Sequence, residues 1–198
     1  MALPADQPSV DPAPVRRWLR NFAEDRRGVV SVEFAIMVPL VLWAFMALYV
    51  YFDGYRQSSI NLKAAYTISD ILSRETGIVD EGYIDGMQEL FQFLTRSGSD
   101  NSIRISVISW NQADDRYYVD WSSNRDWQDG TDLNDSNIMG YSDKLPVMAN
   151  SQRLVLVETR NTYAPVFKVG MDDIELENFV FMNPRFVQNV AWDGGGST

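Results

Sequence analysis

The fold is decided by the stretch Val29-Val-Ser-Val-Glu-Phe-Ala-Ile-Met-Val-Pro-Leu-Val-Leu-Trp-Ala-Phe-Met-Ala-Leu-Tyr-Val-Tyr-Phe52. It contains one formal charge, Glu33, close to its start. As a helix it would extend roughly 36 Å at about 1.5 Å per residue, which is enough to cross the hydrocarbon core of a bilayer. A helix at the surface of a water-soluble core carries a polar stripe, and no such stripe follows Glu33. The sequence therefore predicts a transmembrane helix over residues 29–52.

The charges around this stretch predict its orientation. The chain has 198 residues and a formal net charge of -10, but the 28 residues before the helix carry five arginines against four acids. Residues 29–198, taken together, carry a strongly negative net charge. Because basic residues stay on the cytoplasmic side of a membrane, we expect residues 1–28 to be a cytoplasmic leader. Residues 53–198 then form an extracytoplasmic domain.

Composition excludes several classes of function. The chain has no histidine and no cysteine, which excludes serine–histidine and cysteine–histidine nucleophiles, zinc sites built from these residues, and disulfides. A pI near 4.4 argues against binding to nucleic-acid backbones. The sequence also lacks a phosphate-binding G-x-x-x-x-G-K-[ST] loop and a G-x-S-x-G nucleophile turn. We expect a protein that is not an enzyme.

Glu33 is the most informative residue of the apolar stretch, because it lies five positions after Gly28 at the predicted membrane boundary. A carboxylate there costs on the order of 2–3 kcal/mol unless it finds a partner. If the chain were cut after Gly28, the new ammonium group on Val29 would share a helix face with Glu33. The pair could then neutralise within one chain or between neighbouring subunits. Alternatively, Glu33 lies at headgroup level, close to the positive end of the helix dipole.

Two sets of residues carry a resemblance to a known family. The segment Arg27-Gly-Val-Val-Ser-Val-Glu-Phe-Ala-Ile-Met-Val-Pro39 resembles the N-terminal signature of TadE-like pilus assembly proteins, the minor pseudopilins of tight-adherence (Tad/Flp) pili. Near the C-terminus, Tyr163-Ala-Pro165-Val-Phe167 and Asn183-Pro-Arg185 resemble the Tyr-x-x-Pro and Arg-Pro-Arg features of such proteins. Asn183 stands where an arginine is common.

This resemblance implies a location, a processing step and partners. A membrane prepilin peptidase would cleave between Gly28 and Val29, and Glu33, Phe34 and Pro39 would belong to the segment that sets register during assembly. The implied location is the bacterial inner membrane, with a periplasmic domain that reaches the pilus tip after assembly. The implied partners are the major Flp pilin, other minor pseudopilins, the prepilin peptidase, the inner-membrane assembly platform and the lipid bilayer. Pro39 removes a backbone donor, so we expect a kink near Ala35.

The extracytoplasmic region predicts two helices followed by strands. Ile60, Ala64, Ile68 and Leu72 repeat every fourth residue, which predicts that the first helix continues to Gly77. Asp80 is a candidate N-cap of a second helix that ends at Gly98 and carries the apolar stripe Ile84, Met87, Phe91 and Leu94.

Four stretches predict the strands. Ile103, Ile105 and Val107 alternate with polar residues, as in a half-buried strand, and Tyr117, Val119 and Trp121 alternate again. Residues 153–158 suit a strand covered on both faces, and residues 174–182 form the last strand. Helices followed by strands predict an α+β domain, with the helices packed on one face of an antiparallel sheet in a pilin-like plan.

An acidic segment over residues 111–143 allows three interpretations. Asp126, Asp129, Asp132 and Asp135 recur every third residue, and clustered carboxylates in a loop are able to hold calcium. The spacing does not fit an EF-hand, so a solvated acidic loop is favoured over a calcium site, and no other cofactor is expected. In a third interpretation, Trp121 and Trp127 contact a partner or a glycan at the surface. The alternative function is thus a membrane-tethered binding module for calcium or a glycan that is not incorporated into a pilus.

Overall fold

The structure, a computed structural model, describes residues 28–96, 101–127 and 130–194, together with Arg17 and Asn21. The chain forms two compact units, Met1–Ala47 and Leu48–Thr198. The described residues form a long apolar N-terminal helix, a second helix and an antiparallel sheet. The predicted α+β class is confirmed at this level.

Two α-helices precede the sheet. Helix α1 spans Val29–Arg74 and continues through Pro39. Helix α2 spans Glu81–Thr95, and the side chain of Asp80 accepts a hydrogen bond from the Tyr83 backbone at 2.8 Å, which confirms the predicted N-cap. The predicted end of α2, Gly98, lies outside the described residues, and the helix stops earlier because Arg96 adopts a left-handed conformation with φ of 53°.

Helix α1 ends three residues before the predicted Gly77. The carboxylate of Glu75 accepts hydrogen bonds from the backbone N–H groups of Thr76 and Gly77 at 3.0 and 2.8 Å. The Gly77 bond, together with one to the Tyr83 side chain, lowers the pKa of Glu75. A charged side chain therefore stabilises the turn that follows the helix.

The main sheet has four antiparallel strands in the order β3-β2-β4-β5. Strand β2 spans Asn101–Asn111, β3 Arg116–Arg125, β4 Arg153–Tyr163 and β5 Ile174–Met182. The predicted position of β5 is confirmed. It is the last strand of the main sheet, but another short strand follows it in the chain. Two short strands, β1 (Val79–Asp80) and β6 (Trp192–Asp193), pair in parallel. They are too short to produce a detectable alternation in the sequence.

One face of the sheet packs against the helices. The predicted helical stripes are confirmed, because Ala64, Ile68 and Leu72 of α1 and Ile84 and Phe91 of α2 are buried there. The strands contribute the residues Ile103, Ile105, Val107, Trp121, Val155 and Val157. The clustered side chains are apolar, so they hold the C-terminal part of α1 on the sheet by hydrophobic burial.

The opposite face of the sheet is also buried, which corrects the prediction that β2 is half-buried. Residues 101–108 of β2 are all buried. The cover is the segment between β3 and β4, whose apolar side chains pack on Ile108, Leu154 and Leu156 and are Leu133, Ile138, Leu145 and Met148. The acidic segment is therefore not a free solvated loop, because its apolar residues form a second core.

A bulge in β3 changes which side chains share a face. Val107 pairs with Trp121, but the next residue, Ile108, pairs with Val119, so Asp120 is the extra residue. Trp121 therefore packs with the helices, whereas Tyr117 and Val119 pack on the other side of the sheet. The expectation that Tyr117, Val119 and Trp121 lie on one face was wrong for this reason.

Candidate functional site

The N-terminal part of α1 leaves almost all of its apolar side chains uncovered. Within its most apolar window of 18 residues, the mean hydropathy is 2.1 and 6% of the residues are buried. Val30 is 72% exposed and Phe34 is 68% exposed. By length and composition this helix is able to span a membrane.

The residues of the N-terminal motif lie at the start of this helix. Gly28 directly precedes α1, and Val29 is its first residue. Glu33, Phe34 and Pro39 are exposed on the helix. Within the described part of the chain, no side chain forms an ion pair or a hydrogen bond with Glu33. The carboxylate is thus available to a group that another molecule, or a cleaved N-terminus, would supply.

The structure gives no packing reason for glycine at position 28. No described atom lies within 4 Å of the place where a Cβ of residue 28 would stand, and the backbone is not in the left-handed region. A larger residue would therefore fit the described part of the fold.

The C-terminal motif residues fasten the other part of α1. The hydroxyl of Tyr163 donates a hydrogen bond to Asp53 at 2.8 Å. The backbone N–H of Arg185 donates to the carbonyl of Ser73 at 2.7 Å, and its guanidinium lies 3.1 Å from Asp70. Both motif segments, which are far from α1 in the sequence, thus make polar contacts with this helix.

The environment of Tyr163 favours its neutral form. Burial, followed by the hydrogen bond to Asp53 and the charge of that carboxylate, raises the pKa of Tyr163 to about 12. Two further polar contacts fix the same part of the helix. Asn161 donates to Asn61 at 3.0 Å between two buried side chains, and Gln57 donates to the Thr95 carbonyl at 2.9 Å. These bonds define which side of α1 faces the sheet.

A buried ion pair lies on the other face of the sheet. Arg104 and Glu158 are direct partners across β2 and β4, with side chains 4% and 7% exposed. Arg104 donates to both carboxylate oxygens of Glu158, at 2.6 and 2.8 Å. It also donates to the Tyr141 hydroxyl at 2.9 Å and to the Thr131 carbonyl at 3.2 Å. Burial disfavours the charged form of Arg104. The hydrogen bonds to Glu158 and the charge of that carboxylate outweigh this effect, so the pKa of Arg104 is raised.

Trp127 lies between two guanidinium groups beside this ion pair. Its ring is 4.4 Å from the Arg104 guanidinium carbon and 4.5 Å from that of Arg160. A cleft of about 270 Å³ opens next to it, and Lys144 and Phe179 are among its lining residues. The tryptophans predicted to contact a partner at the surface are both buried. Trp121 donates its ring N–H to the Val190 carbonyl, and Trp127 anchors the segment that follows β3.

Of the four aspartates considered for calcium, the three that the structure describes are not brought together. Asp126 accepts from Gln88 at 2.6 Å, Asp132 from Asn124 at 2.8 Å, and Asp135 from the Val119 backbone at 2.8 Å. Asp129 lies outside the described residues. Where the chain is described, no group of three or more acidic side chains is arranged to hold a metal ion. The geometry therefore gives the calcium interpretation no support.

Sequence reasoning missed the Arg104–Glu158 pair and the apolar residues of the covering segment. The pair was not detectable because its members are 54 positions apart and meet only through strand register. A weak signal existed in Arg104, the single charged residue of the predicted strand, which stands between Ile103 and Ile105. The chain matches no protein-family model, no curated protein and no solved structure.

Proposed function

We propose that this chain is a non-enzymatic minor pseudopilin of a Tad (Flp-type) pilus. In this proposal a prepilin peptidase removes the leader after Gly28. Residues 29–52 then anchor the chain in a bacterial inner membrane, and residues 53–198 form a periplasmic head. The protein acts in pilus initiation, assembly or tip formation, together with the major Flp pilin, other minor pseudopilins and the inner-membrane platform.

The observation that carries this proposal is the uncovered N-terminal part of α1. Fully burying one large apolar side chain contributes about 1.5–3 kcal/mol, so leaving this surface in water would be strongly unfavourable. The side chains of the head do not need it, because the head has its own two cores. Lipid or neighbouring apolar helices are the environments that suit such a surface.

Glu33 supplies the polar element of the proposed assembly. Its side chain is exposed and has no partner among the described residues. After cleavage, the ammonium group of Val29 would be one helical turn away along the same face. Pairing between the Glu33 carboxylate of one subunit and the Val29 ammonium of a neighbour would offset the cost of a charge in lipid and fix their axial register.

The glycine before the helix supports processing by another protein. No described atom lies within 4 Å of the place of a Cβ at Gly28, so the described fold leaves this position open to a peptidase. The size of the head favours initiation or tip placement over repetition along a thin shaft. Both features are compatible with the family resemblance.

The intact mass of the protein purified from native membranes, combined with N-terminal sequencing, tests processing. We expect a mature chain that starts at Val29. An intact leader in cells with an active prepilin peptidase would contradict the proposal.

The role of Glu33 is tested by replacement in the native host. We expect Glu33→Ala and Glu33→Gln to leave processing largely intact and to reduce the number of pili. Ser31→Ala is the matched control, because it changes an exposed polar residue of the same helix without removing a charge. Normal piliation of both Glu33 variants would contradict the register role.

The second candidate function is a tethered binding module. The cleft beside Trp127 favours it, because aromatic rings and the Lys144 ammonium line a volume of about 270 Å³. This function does not need loss of the leader, so the same mass measurement separates the two candidates. A chain that retains residues 1–28 would favour the binding module, with the cleft as its binding site.

A further inference from the structure

The connection between β4 and β5, residues 164–173, exposes apolar side chains that belong to neither core of the head. We call it the β4–β5 loop. Val166 is 71% exposed and Phe167 is 44% exposed. The turn that presents them is fixed, because the Val169 backbone N–H donates to the Phe167 carbonyl at 2.9 Å and Gly170 follows with φ of 79°. Adjacent exposed apolar side chains on a fixed turn indicate an interaction site.

Contacts with α1 place both ends of this loop beside the end of the predicted membrane span. The span ends at Phe52, and the next residue, Asp53, accepts the hydrogen bond from Tyr163, the last residue of β4. A Cβ at Gly54 would stand 3.7 Å from the sulfur of Met171, so the far end of the loop lies against the same turn of α1. All five residues belong to the second compact unit.

Strand β4 runs along α1 toward the span. Its Asn161 donates to Asn61 of the helix, whereas Tyr163 donates to Asp53, which is nearer to the N-terminus of α1. A strand that continues in this direction advances about 3.3 Å with each residue. The β4–β5 loop is therefore at the end of the sheet that points toward residue 52.

We infer that the β4–β5 loop inserts the side chains of Val166 and Phe167 into the surface of the bilayer that α1 spans. This inference rests on the membrane insertion of α1 that is part of the proposed function. In that arrangement Phe52 lies where the hydrocarbon core ends, and a loop that packs on the next two residues lies at the level of the lipid head groups. Lipid is the partner because the bilayer already surrounds the helix at this level.

The C-terminal end of α2 belongs to the same end of the head. Gln57 of α1 donates to the carbonyl of Thr95, the last residue of α2, at 2.9 Å. Phe93, two residues earlier, is 79% exposed. Arg96 directly after the helix is exposed and forms no ion pair with any residue that the structure describes. Exposed phenylalanine and arginine side chains suit the interface, where acyl chains and phosphate groups are both within reach.

Lys168, at the centre of the turn, supplies a second positive charge. Its side chain is 69% exposed, and its contact with Asp173 is long at 3.8 Å. Asp172 and Asp173 are at the other end of the loop, next to β5. A basic residue directly after two exposed apolar residues matches a phospholipid, whose phosphate lies above its acyl chains.

Fluorescence quenching by lipid tests the inference, since the natural chain contains no cysteine and a single labelling site can be introduced. Val166→Cys would be labelled with the dye NBD in the full chain and reconstituted into nanodiscs of phosphatidylcholine and phosphatidylglycerol. Val147→Cys is the matched control, because Val147 is also an exposed valine. It lies at the opposite end of the sheet, where the Tyr117 hydroxyl donates to the carbonyl of Pro146.

The quencher is a phosphatidylcholine that carries a nitroxide near the top of one acyl chain. We expect it to quench the label at residue 166 about threefold more than the label at residue 147. Iodide in the aqueous phase should show the opposite order. Equal quenching of the two labels by the nitroxide lipid would overturn the inference.

A second variant separates insertion from mere proximity to the bilayer. Adding Phe167→Asp to Val166→Cys should reduce quenching by the nitroxide lipid about twofold, because a carboxylate opposes entry into lipid. Adding Val147→Asp to Val166→Cys should not reduce it. Unchanged quenching with Phe167→Asp would show that α1 alone holds the loop near lipid, which would also overturn the inference.

The state of the chain in native membranes distinguishes this inference from the proposed function. A membrane-embedded chain that begins at Val29, combined with equal quenching of the two labels, refutes loop insertion and leaves the pseudopilin proposal intact. Stronger quenching at residue 166, combined with a chain that retains its leader, supports loop insertion and contradicts the pseudopilin proposal. A chain that is not retained in membranes rejects both.

Discussion

The two parts of α1 bury their apolar side chains to opposite extents. In the part before residue 48, Phe34, Leu40 and Phe45 are all more than half exposed. In the part after residue 48, Ala64, Ile68 and Leu72 are almost completely buried against the sheet. The apolar residues of the second part are needed to build the head. Those of the first part contribute nothing to it and suit lipid or a partner.

The second part of α1 has one buried side and one exposed side. One side is fixed by a core, by buried asparagines and by Tyr163, whereas Phe52, Tyr55 and Leu62 are exposed on the other. Substitutions on the sheet-facing side should therefore change the free energy of unfolding much more than substitutions on the exposed side or in the first part.

The largest effect on the head should come from Arg104→Met. This variant leaves Glu158 buried without its partner, which costs about 3–5 kcal/mol of unfolding free energy. Chemical denaturation of the detergent-solubilised chain measures this loss, and the membrane-bound fraction should stay unchanged because the substitution leaves the apolar residues 29–52 as they are. The double variant with Glu158→Leu should recover most of the loss. A double variant as unstable as the single one would contradict this account.

Leu72→Ala and Leu40→Ala compare the two parts of α1 directly. Leu72 is fully buried, so its truncation should lower the free energy of unfolding by about 2–5 kcal/mol. Leu40 is 59% exposed, and its truncation should change the same quantity by less than about 0.5 kcal/mol. Equal losses in a denaturant titration would show that the first part of α1 also belongs to the folded head.

Tyr163→Phe should cost about 1–2 kcal/mol, because it removes a hydrogen bond to the Asp53 carboxylate. Tyr51→Phe, in which the changed residue is exposed, is the control and should have no measurable effect.

The same variant has a pH signature. The pKa of Tyr163 is raised from 10.0 to about 12 in the folded protein, so its contribution to stability is complete below pH 10 and is lost as the pH rises to 12. The pKa of Tyr83 is also raised to about 12, mainly by burial. The difference in unfolding free energy between wild type and Tyr163→Phe should therefore shrink from pH 10 to 12. A constant difference would contradict this assignment.

The smallest effect is expected from Arg185→Ala. The side-chain ion pair with Asp70 is half-exposed and should contribute at most about 1 kcal/mol, whereas the backbone bond to Ser73 remains. Lys168→Ala, which removes a more exposed contact with Asp173, is the matched control. A loss well above 1 kcal/mol for Arg185→Ala would mean that the side chain also orders the segment after β5.

Local patterns in the sequence were sufficient for most of the elements. The spacing of Ile68 and Leu72, the cap at Asp80 and the apolar run of β4 each depend on neighbours within one or two turns. The β3 bulge at Asp120 was not predictable, because it depends on pairing with β2 and reverses the face of Trp121.

The residues of the candidate site also divide into those found from local sequence and those whose contacts only the tertiary structure shows. Gly28, Glu33 and Pro39 form a local motif and were found in the sequence. The contacts of Tyr163 and Arg185 with α1 depend on residues that lie about 110 positions away, and the tertiary structure alone identifies them. For Asp126, Asp132 and Asp135, regular spacing suggested a cluster that the fold separates.

The sequence by itself determined the long apolar helix, the α+β class and the position of a single charge at its start, because these follow from composition and periodicity along the chain. Only the tertiary structure decided which side of α1 is buried, that the acidic segment covers the second face of the sheet, and that Arg104 meets Glu158. The physical reason is that burial and pairing depend on strand register and on surfaces supplied by distant residues, which no local pattern contains.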